Sequence, residues 1–315
     1  MPKILVTGAS GFVGKSLTAE LFRQGYAIGA AVRSRKSQIN NAEVVVVGEI
    51  DGNTDWTNAL RNVDVVIHLA ARVHVMKESF ANPLAEFRKV NVEGTQHLAK
   101  FAASVDVKRF IFISSIKVNG EFTELDQPFT AKDAANPQDA YATSKYEAEQ
   151  GLTRIAEETS MEVVNIRPPL VYGADVNANF GSLLRIVKRG MPLPLGAITQ
   201  NRRSFVALDN LIDLIITCIN HPNAADQTFL VSDDEDVSTT DLLRKMAVAQ
   251  GVPNRLLPVP VALLNSCAKL FGKQAIAQRL LGNLQVDISH TQKLLNWQPI
   301  ISLDEGLRRA VINLK

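Results

Sequence analysis

The chain has little of what would tie it to a metal, a membrane or a nucleic acid. Its two cysteines, Cys218 and Cys267, stand apart without ligand spacing, which argues against a disulfide scaffold and fits two reduced thiols. The five histidines, at 68, 74, 97, 221 and 290, form no spaced pair, so no metal is expected. Lysine and arginine number 34 against 32 acidic residues, and a net charge of +2 predicts no attraction to nucleic acid or anionic lipid. No stretch approaches the roughly 18 uninterrupted apolar residues that span a bilayer. The apolar run at 211–219 is short and carries Asp213. Met1 leads within three residues into an apolar strand, leaving no room for a secretory leader, so a cytoplasmic protein is expected. With 46% hydrophobic and 21% charged residues over 315 positions, the composition is that of a globular protein with a large core. The expected partner is a small molecule, not a membrane or a nucleic acid.

What is present begins at the amino terminus. Gly8, Gly11 and Gly14 fall three apart between the apolar Ile4-Leu5-Val6 and the amphipathic run from Lys15 to Arg23. A strand that must turn sharply into a helix needs such residues, and the free N–H groups of the helix start attract an anion. Missing β-carbons let a pyrophosphate approach the backbone, so Gly8, Ser10, Gly11, Phe12, Val13 and Gly14 are candidates for a dinucleotide cradle.

Apolar runs at 4–6, 28–32, 44–47, 65–69, 110–113 and 163–166 read as buried parallel strands, and Thr228 to Val231 as another. Helical patterns lie at Lys15 to Gln24, Trp56 to Arg61, Glu86 to Ser104 and Tyr141 to Thr159, with two more at Asp241 to Gln250 and Val261 to Phe271. The alternation predicts an α/β fold with a doubly wound parallel sheet of the Rossmann type. Prolines and glycines cluster after Arg167. The expected division is therefore a nucleotide-binding domain over 1–167, to which 205–231 returns, and a smaller C-terminal substrate-binding lobe over 168–315. The acidic run Asp233 to Asp236 reads as a solvated turn without chemistry.

At the end of the second strand a carboxylate would accept bonds from the adenosine ribose, whereas a cation there favours the extra phosphate of NADP. Here the strand ends in Arg33-Ser34-Arg35-Lys36, so Arg33 predicts NADP over NAD. Glu49 and Ile50 are candidates for the adenine edge, and Leu69, Ala70 and Ala71 for the turn beneath the pyrophosphate. His68 reads as a packed strand-end residue.

Tyr141 and Lys145 sit one helical turn apart on one face. A phenol that titrates near 10 must lose about 3 pKa units, about 4 kcal/mol, to exchange protons near pH 7, and a cation one turn along, plus the positive nicotinamide ring of an oxidised dinucleotide, acts in that direction. Ser114 and Ser115 end the fifth strand at the sheet's carboxyl edge, where Ser115 can bond a substrate oxygen whose charge changes.

Taken in order, these motifs resemble the extended short-chain dehydrogenase/reductases of the nucleotide-sugar epimerase, dehydratase and reductase group. The resemblance rests on Thr7-Gly-x-x-Gly-Phe-x-Gly14, Asp64 with His68-Leu-Ala-Ala, Asn91-Val-x-Gly-Thr95, Ser114-Ser115, Tyr141/Lys145, Arg167-Pro-Pro-Leu-Val-Tyr-Gly173, Arg203-Ser-Phe-Val206 and Leu294-Leu-Asn-Trp297-x-Pro299. It implies that Ser115, Tyr141 and Lys145 form the catalytic triad, that Asn91 positions the lysine through water, and that Pro168 lies beside the nicotinamide. It also implies that Ser114 joins the cofactor site, and that Asn179, Phe180, Arg203 and Arg279 hold the nucleotide diphosphate of a UDP-sugar. A homodimer formed by helices 86–104 and 141–159 is expected from the same likeness.

The chain departs from the group at several places. Ile116 and Lys117 stand where dehydratases carry Asp and Glu, which argues against dehydration. Asn119 makes the loop wall more polar than the usual tyrosine, Leu170 replaces an asparagine, and Leu284 falls near a residue that limits sugar size. Arg33, with the Ser-Ile-Lys-Val-Asn-Gly stretch, favours a reductase for the 4-keto group of a UDP-4-keto-6-deoxy-N-acetylhexosamine, as in UDP-N-acetylquinovosamine formation for bacterial surface polysaccharide. The alternative is a UDP-glucose or UDP-N-acetylglucosamine 4-epimerase with bound NAD, and a lesser one a non-catalytic NAD(P)-sensing protein.

Overall fold

A computed structural model of the protein describes residues 1–34, 39–73, 82–176 and 178–312, with the side chains of 178 and 179 left aside. Among these residues seven parallel strands form one sheet in the order β3-β2-β1-β4-β5-β6-β9. They are β1 (Lys3–Thr7), β2 (Ala27–Val32), β3 (Glu43–Val46), β4 (Val65–His68), β5 (Arg109–Ile113), β6 (Glu162–Arg167) and β9 (Gln227–Leu230). The order reverses between β1 and β4, whose register pairs Thr7 with His68. That reversal opens a crevice at the strands' carboxyl ends, where ligands bind in doubly wound sheets. The fold class read from alternating apolar runs is therefore the observed one.

One face of the sheet is covered by α1 (Phe12–Arg23) and α6 (Leu208–Asn220), the other by α3 (Thr95–Ser104) and α4 (Ala140–Glu158). Leu17 and Leu21 of α1 bury against Ile4 and Val6, and Leu98 of α3 against Phe110 and Leu152. Two helix expectations are corrected. Trp56 to Arg61 forms a single turn (Leu60 N–H to Trp56 O, 3.0 Å), ended by Asn62 at φ +57°. Trp56 is fully buried as a plug beneath the sheet, and that packing overrides the helical spacing. The helix expected over 86–104 is three pieces: α2 (Pro83–Arg88), a π-helical turn (Lys89–Gly94) and α3. The wider turn lets Asn91 point inward, almost wholly buried.

Beyond Arg167 the chain divides between two cores. While β9 joins the large sheet, the short parallel pair β7 (Leu170–Tyr172) and β8 (Phe205–Ala207) packs with α5 (Ala178–Lys188), α7 (Thr239–Ala249) and α11 (Leu303–Val311) around a separate apolar cluster. The helices α8 (Val261–Leu270), α9 (Gln274–Leu281) and α10 (Ser289–Leu295) lie between α7 and α11 in sequence. Asp233 is not a solvated turn residue. Its buried carboxylate accepts from Tyr172 Oη (2.7 Å), Ala207 N (2.7 Å) and Asn210 Nδ2 (2.7 Å), tying β7, β8 and α6 together. Its neighbour Asp236 accepts from Ser204 Oγ (2.5 Å) and Gln285 Nε2 (2.9 Å). No helix among the described residues is long and apolar enough to cross a membrane, and no cluster among them could hold a metal.

Candidate active site

A cleft of about 600 Å³ opens at the switch point and is lined by twelve of the sequence-predicted residues: Gly8, Ser10, Gly11, Phe12, Val13, Gly14, Arg33, Glu49, Ile50, Leu69, Ala70 and Ala71. The glycines are there for steric reasons. A β-carbon on Gly14 would meet Gly8 O at 2.2 Å, and one on Gly8, held at φ +66°, would meet Ala70 N at 2.8 Å. The first turn of α1 carries no acidic residue and its N-cap, Gly11, offers no side chain, so the helix's leading N–H groups are left for an anion. This cradle fits a dinucleotide pyrophosphate. Sequence reasoning missed Val47 and Gly48, which follow β3 and also line the cleft, and the lining residues Arg72 and Val90. A wider depression of about 750 Å³ lies at the sheet's amino edge, lined by Met1, Asp64, Lys108 and Glu162. It is remote from the glycine turn and at the wrong end of the strands for a ligand of this fold.

Glu49 changes the reading of Arg33. Their side chains, both exposed, lie 3.5 Å apart (Nη1 to Oε1), so the cation at the end of β2 comes with a carboxylate beside it. Ser34 is exposed next to them, while Arg35 and Lys36 lie outside the described residues.

The other end of the cleft is bounded by Ile113, at the end of β5. From there, four contacts gather the candidate triad. Ser114 N–H donates to Ile166 O (2.8 Å) and Ile116 N–H to Pro168 O (3.0 Å), fixing Ser115 between them and Pro168 alongside. Lys145 Nζ donates to Ile113 O (2.7 Å), and Lys117 Nζ to Asp139 Oδ2 (2.6 Å), pinning the start of α4 against the same segment. Asp139 is itself the N-cap of α4, accepting from Ala142 N (2.7 Å), and Ser115 Oγ accepts from Lys117 N (3.2 Å). Among the described residues Ser114 Oγ is buried without a hydrogen-bond partner. Phe87 of α2 meets the Tyr141 ring edge-on at 6.0 Å, a positioning contact that the spacing of Tyr141 and Lys145 did not reveal.

The protein's own groups hold the proton on the phenol. Burial pushes the Tyr141 phenol up to about 12, with Asp139 adding in the same direction. Burial also brings the Lys145 ammonium down to about 7, opposed by Glu149. Its Nζ stands 4.3 Å from the centre of the Phe112 ring, as well as on Ile113 O. Tyr141 is thus held as a neutral phenol, a proton donor. His68 is the packed residue expected: burial brings it to about 3, and it bridges Thr7 Oγ1 (2.7 Å) and Thr95 Oγ1 (3.0 Å) as a neutral ring.

Asn91 bonds the residue next to Lys145 directly. Its amide donates to Arg72 O (3.0 Å) and Ser144 Oγ (3.0 Å) and accepts from Arg72 N (2.8 Å), so it joins the loop after β4 to the residue preceding the lysine. Asn119 is no polar wall. It is buried, its Oδ1 accepting from Arg167 Nη1 (3.0 Å) and its Nδ2 donating to Thr130 O (3.0 Å). Lys117 ion-pairs with Glu121 (2.6 Å) as well as Asp139.

On the substrate side, Arg203 is largely buried and donates to Gly282 O (3.2 Å). Its pKa is lowered by burial and by the neighbouring Arg279 guanidinium. Neither arginine has an ion pair among the described residues, which suits a diphosphate between them. Phe180 is a core side chain, stacked on Tyr172 at 5.1 Å between ring centres, so only its backbone is left for a ligand. Leu284 is likewise buried, and Leu170 partly exposed. Asn179 lies in α5, its side chain outside the described set.

Comparison with known proteins agrees with this geometry. Residues 4–232 match the model of the NAD dependent epimerase/dehydratase family. A UDP-glucose 4-epimerase of Vibrio cholerae is 51% identical over 312 residues, covering 98% of this chain and 95% of that protein. Among solved structures, the UDP-N-acetylglucosamine 4-epimerase from Bacillus cereus superposes with a TM-score of 0.81 at 21% identity, over 100% of both chains. The UDP-glucuronic acid 4-epimerase from Bacillus cereus in complex with NAD gives 0.78 at 21%, over 99% and 98%. At such identities the two structures speak for the fold alone. The chain belongs to the NAD-dependent epimerase/dehydratase family, enzymes of the extended short-chain dehydrogenase/reductase type.

Proposed function

We propose that the protein is a UDP-hexose 4-epimerase that works on retained NAD. The observation that carries this reading is the 51% identity, end to end, with the UDP-glucose 4-epimerase of Vibrio cholerae. The Arg33–Glu49 pair supports it. A carboxylate beside the cation suits ribose hydroxyls and repels a ribose phosphate, so NAD, not the NADP expected from Arg33, is the cofactor proposed. The 4-keto reductase reading rested on that cation and on the 115–120 stretch, and the likeness to an epimerase weighs against it.

The cradle at Gly8–Gly14 would hold the pyrophosphate, Ile50 the adenine, and Ser114, Lys145 and Pro168 the nicotinamide end. NAD supplies a reversible acceptor for the hydride at carbon 4 of the sugar. The protein's residues handle the proton. Tyr141 exchanges it with the oxygen on carbon 4, Ser115 Oγ hydrogen-bonds that oxygen as its charge changes, and Lys145 holds the cofactor end against β5. Asn91 keeps α4 in register through Ser144, and Arg203 and Arg279 bind the UDP diphosphate. On this reading the enzyme is a cytoplasmic homodimer joined through the α2–α3 and α4 surfaces.

Incubation with UDP-glucose or UDP-N-acetylglucosamine and no added cofactor, followed by NMR, is the test. Interconversion with the galacto epimer is expected. Absence of interconversion, with NADPH oxidised only in the presence of a UDP-4-keto-6-deoxy sugar, would return the assignment to the reductase.

A further inference from the structure

The whole-chain charge of +2 hides an uneven distribution. Between Asp241 and Asp287 there is no acidic residue, while Arg244, Lys245, Arg255, Lys269, Lys273 and Arg279 fall in that interval. Arg244 is matched by Asp241, and Lys245 by Glu235 and Asp304. Arg255, Lys269, Lys273 and Arg279 have no ion pair among the described residues. The same interval contains the helical hairpin α8–α9, neither of whose helices has a buried residue. Leu264, Ala268, Ala277, Leu280 and Leu281 are its half-covered positions. Leu263, Cys267, Leu270 and Phe271, spaced i, i+4, i+7 and i+8, form a stripe that faces solvent. At the tip, Leu270 is 80% and Phe271 71% exposed, with Gly272 at φ +64° making the turn and Ile276 exposed beyond it. Lys269 and Lys273 flank this tip, both exposed.

We infer that the hairpin tip is an interfacial anchor that seats this enzyme on an anionic bilayer surface. Two adjacent bulky apolar side chains on a convex turn, with cations to either side, suit insertion at the headgroup boundary beside acidic lipid. A depression of about 420 Å³ lies between α8 and α9, lined by Ala268, Gln274, Ala277 and Gln278 among others, but Leu270, Phe271 and Ile276 are not among the residues that line it. A two-fold contact with a second copy would set the same cations against each other. The family match ends at residue 232, so this element lies outside the part shared with the family model. The inference is independent of which sugar the enzyme takes.

The test is flotation of the full-length protein with phosphatidylcholine vesicles, with and without about 30% phosphatidylglycerol, at physiological salt. The expected result is at least about tenfold more protein on the acidic vesicles, reduced about tenfold by L270S/F271S and abolished by K269E/K273E. Both variants should keep the wild-type thermal midpoint, since every substituted side chain is exposed. No binding to either vesicle, equal binding to both, or binding unchanged in the two variants would overturn the inference. So would an oligomer, or a complex with an acidic protein, that both variants dissociate while vesicle binding stays absent.

Discussion

Arg167 and Glu149 form an ion pair behind the site, each side chain under a tenth exposed: 8% and 5%. Nε and Nη2 of the guanidinium reach the two carboxylate oxygens at 2.9 and 2.5 Å, and Nη1 reaches Asn119 Oδ1. Arg167→Met leaves a buried carboxylate without its cation, a change that costs about 3–5 kcal/mol, and leaves Asn119 Oδ1 short of a donor, about 1 kcal/mol more. At about 2 °C per kcal/mol, the slope for large domains, the melting temperature should fall by about 8–12 °C. The double variant Glu149→Leu with Arg167→Met removes both charges and should recover most of the loss, because replacing a whole buried pair with apolar groups is close to neutral. Scanning calorimetry of the two single variants and the double gives the cycle. A double variant no more stable than Arg167→Met would refute the charge as the cause, leaving packing alone. The same substitution has a chemical consequence. Glu149 lies one turn beyond Lys145 and raises its pKa, so an unneutralised Glu149 should move Lys145 above about 7 and shift the pH–rate profile to higher pH.

Four further outcomes follow from the geometry. Gly14→Ala drives a methyl to 2.2 Å from Gly8 O and should weaken dinucleotide binding at least about tenfold, measured by calorimetry, with the far-UV spectrum unchanged. Tyr141→Phe should lower turnover about 10²–10⁴-fold while leaving cofactor affinity intact, which single-turnover and binding measurements separate. Lys145 titrates at about 7 when folded against 10.5 ordinarily, so between those values the native state holds fewer protons than the unfolded one. Its contribution to stability is therefore present above 10.5 and lost as pH falls through about 7, and that slope should vanish in Lys145→Met by urea titration at stepped pH. Arg203→Gln should raise KM for the UDP-sugar about tenfold or more with a smaller change in kcat, and an unchanged KM would remove Arg203 from the diphosphate site.

How much of this could be read from residues alone depends on the range of the force that decides each feature. The glycine turn was legible because Gly14 answers to the backbone of Gly8 and Ala9 and Gly8 to a positive φ, both local demands, and the sheet because a strand buried on both faces must be apolar throughout. Trp56 misled because helical spacing is also what a plug with Ala59 and Leu60 beneath a sheet presents, and only the tertiary core distinguishes them. The π-helical turn left no trace because one extra residue in a turn keeps the pattern amphipathic while swinging Asn91 toward Arg72 and Ser144. Asp233 looked solvated because its partners Tyr172, Ala207 and Asn210 come from three separate segments. Tyr141 is the most instructive of these, since its spacing to Lys145 names the neighbour but not what covers either group. Four residues along α4 fix a neighbourhood, but desolvation scales with what covers it, and here β5 and Phe112 cover the ammonium while Phe87 and Asp139 border the phenol. A protein that buries both groups keeps the proton on the tyrosine, so the driving force that draws it off must enter with the charge changes of the bound reactants.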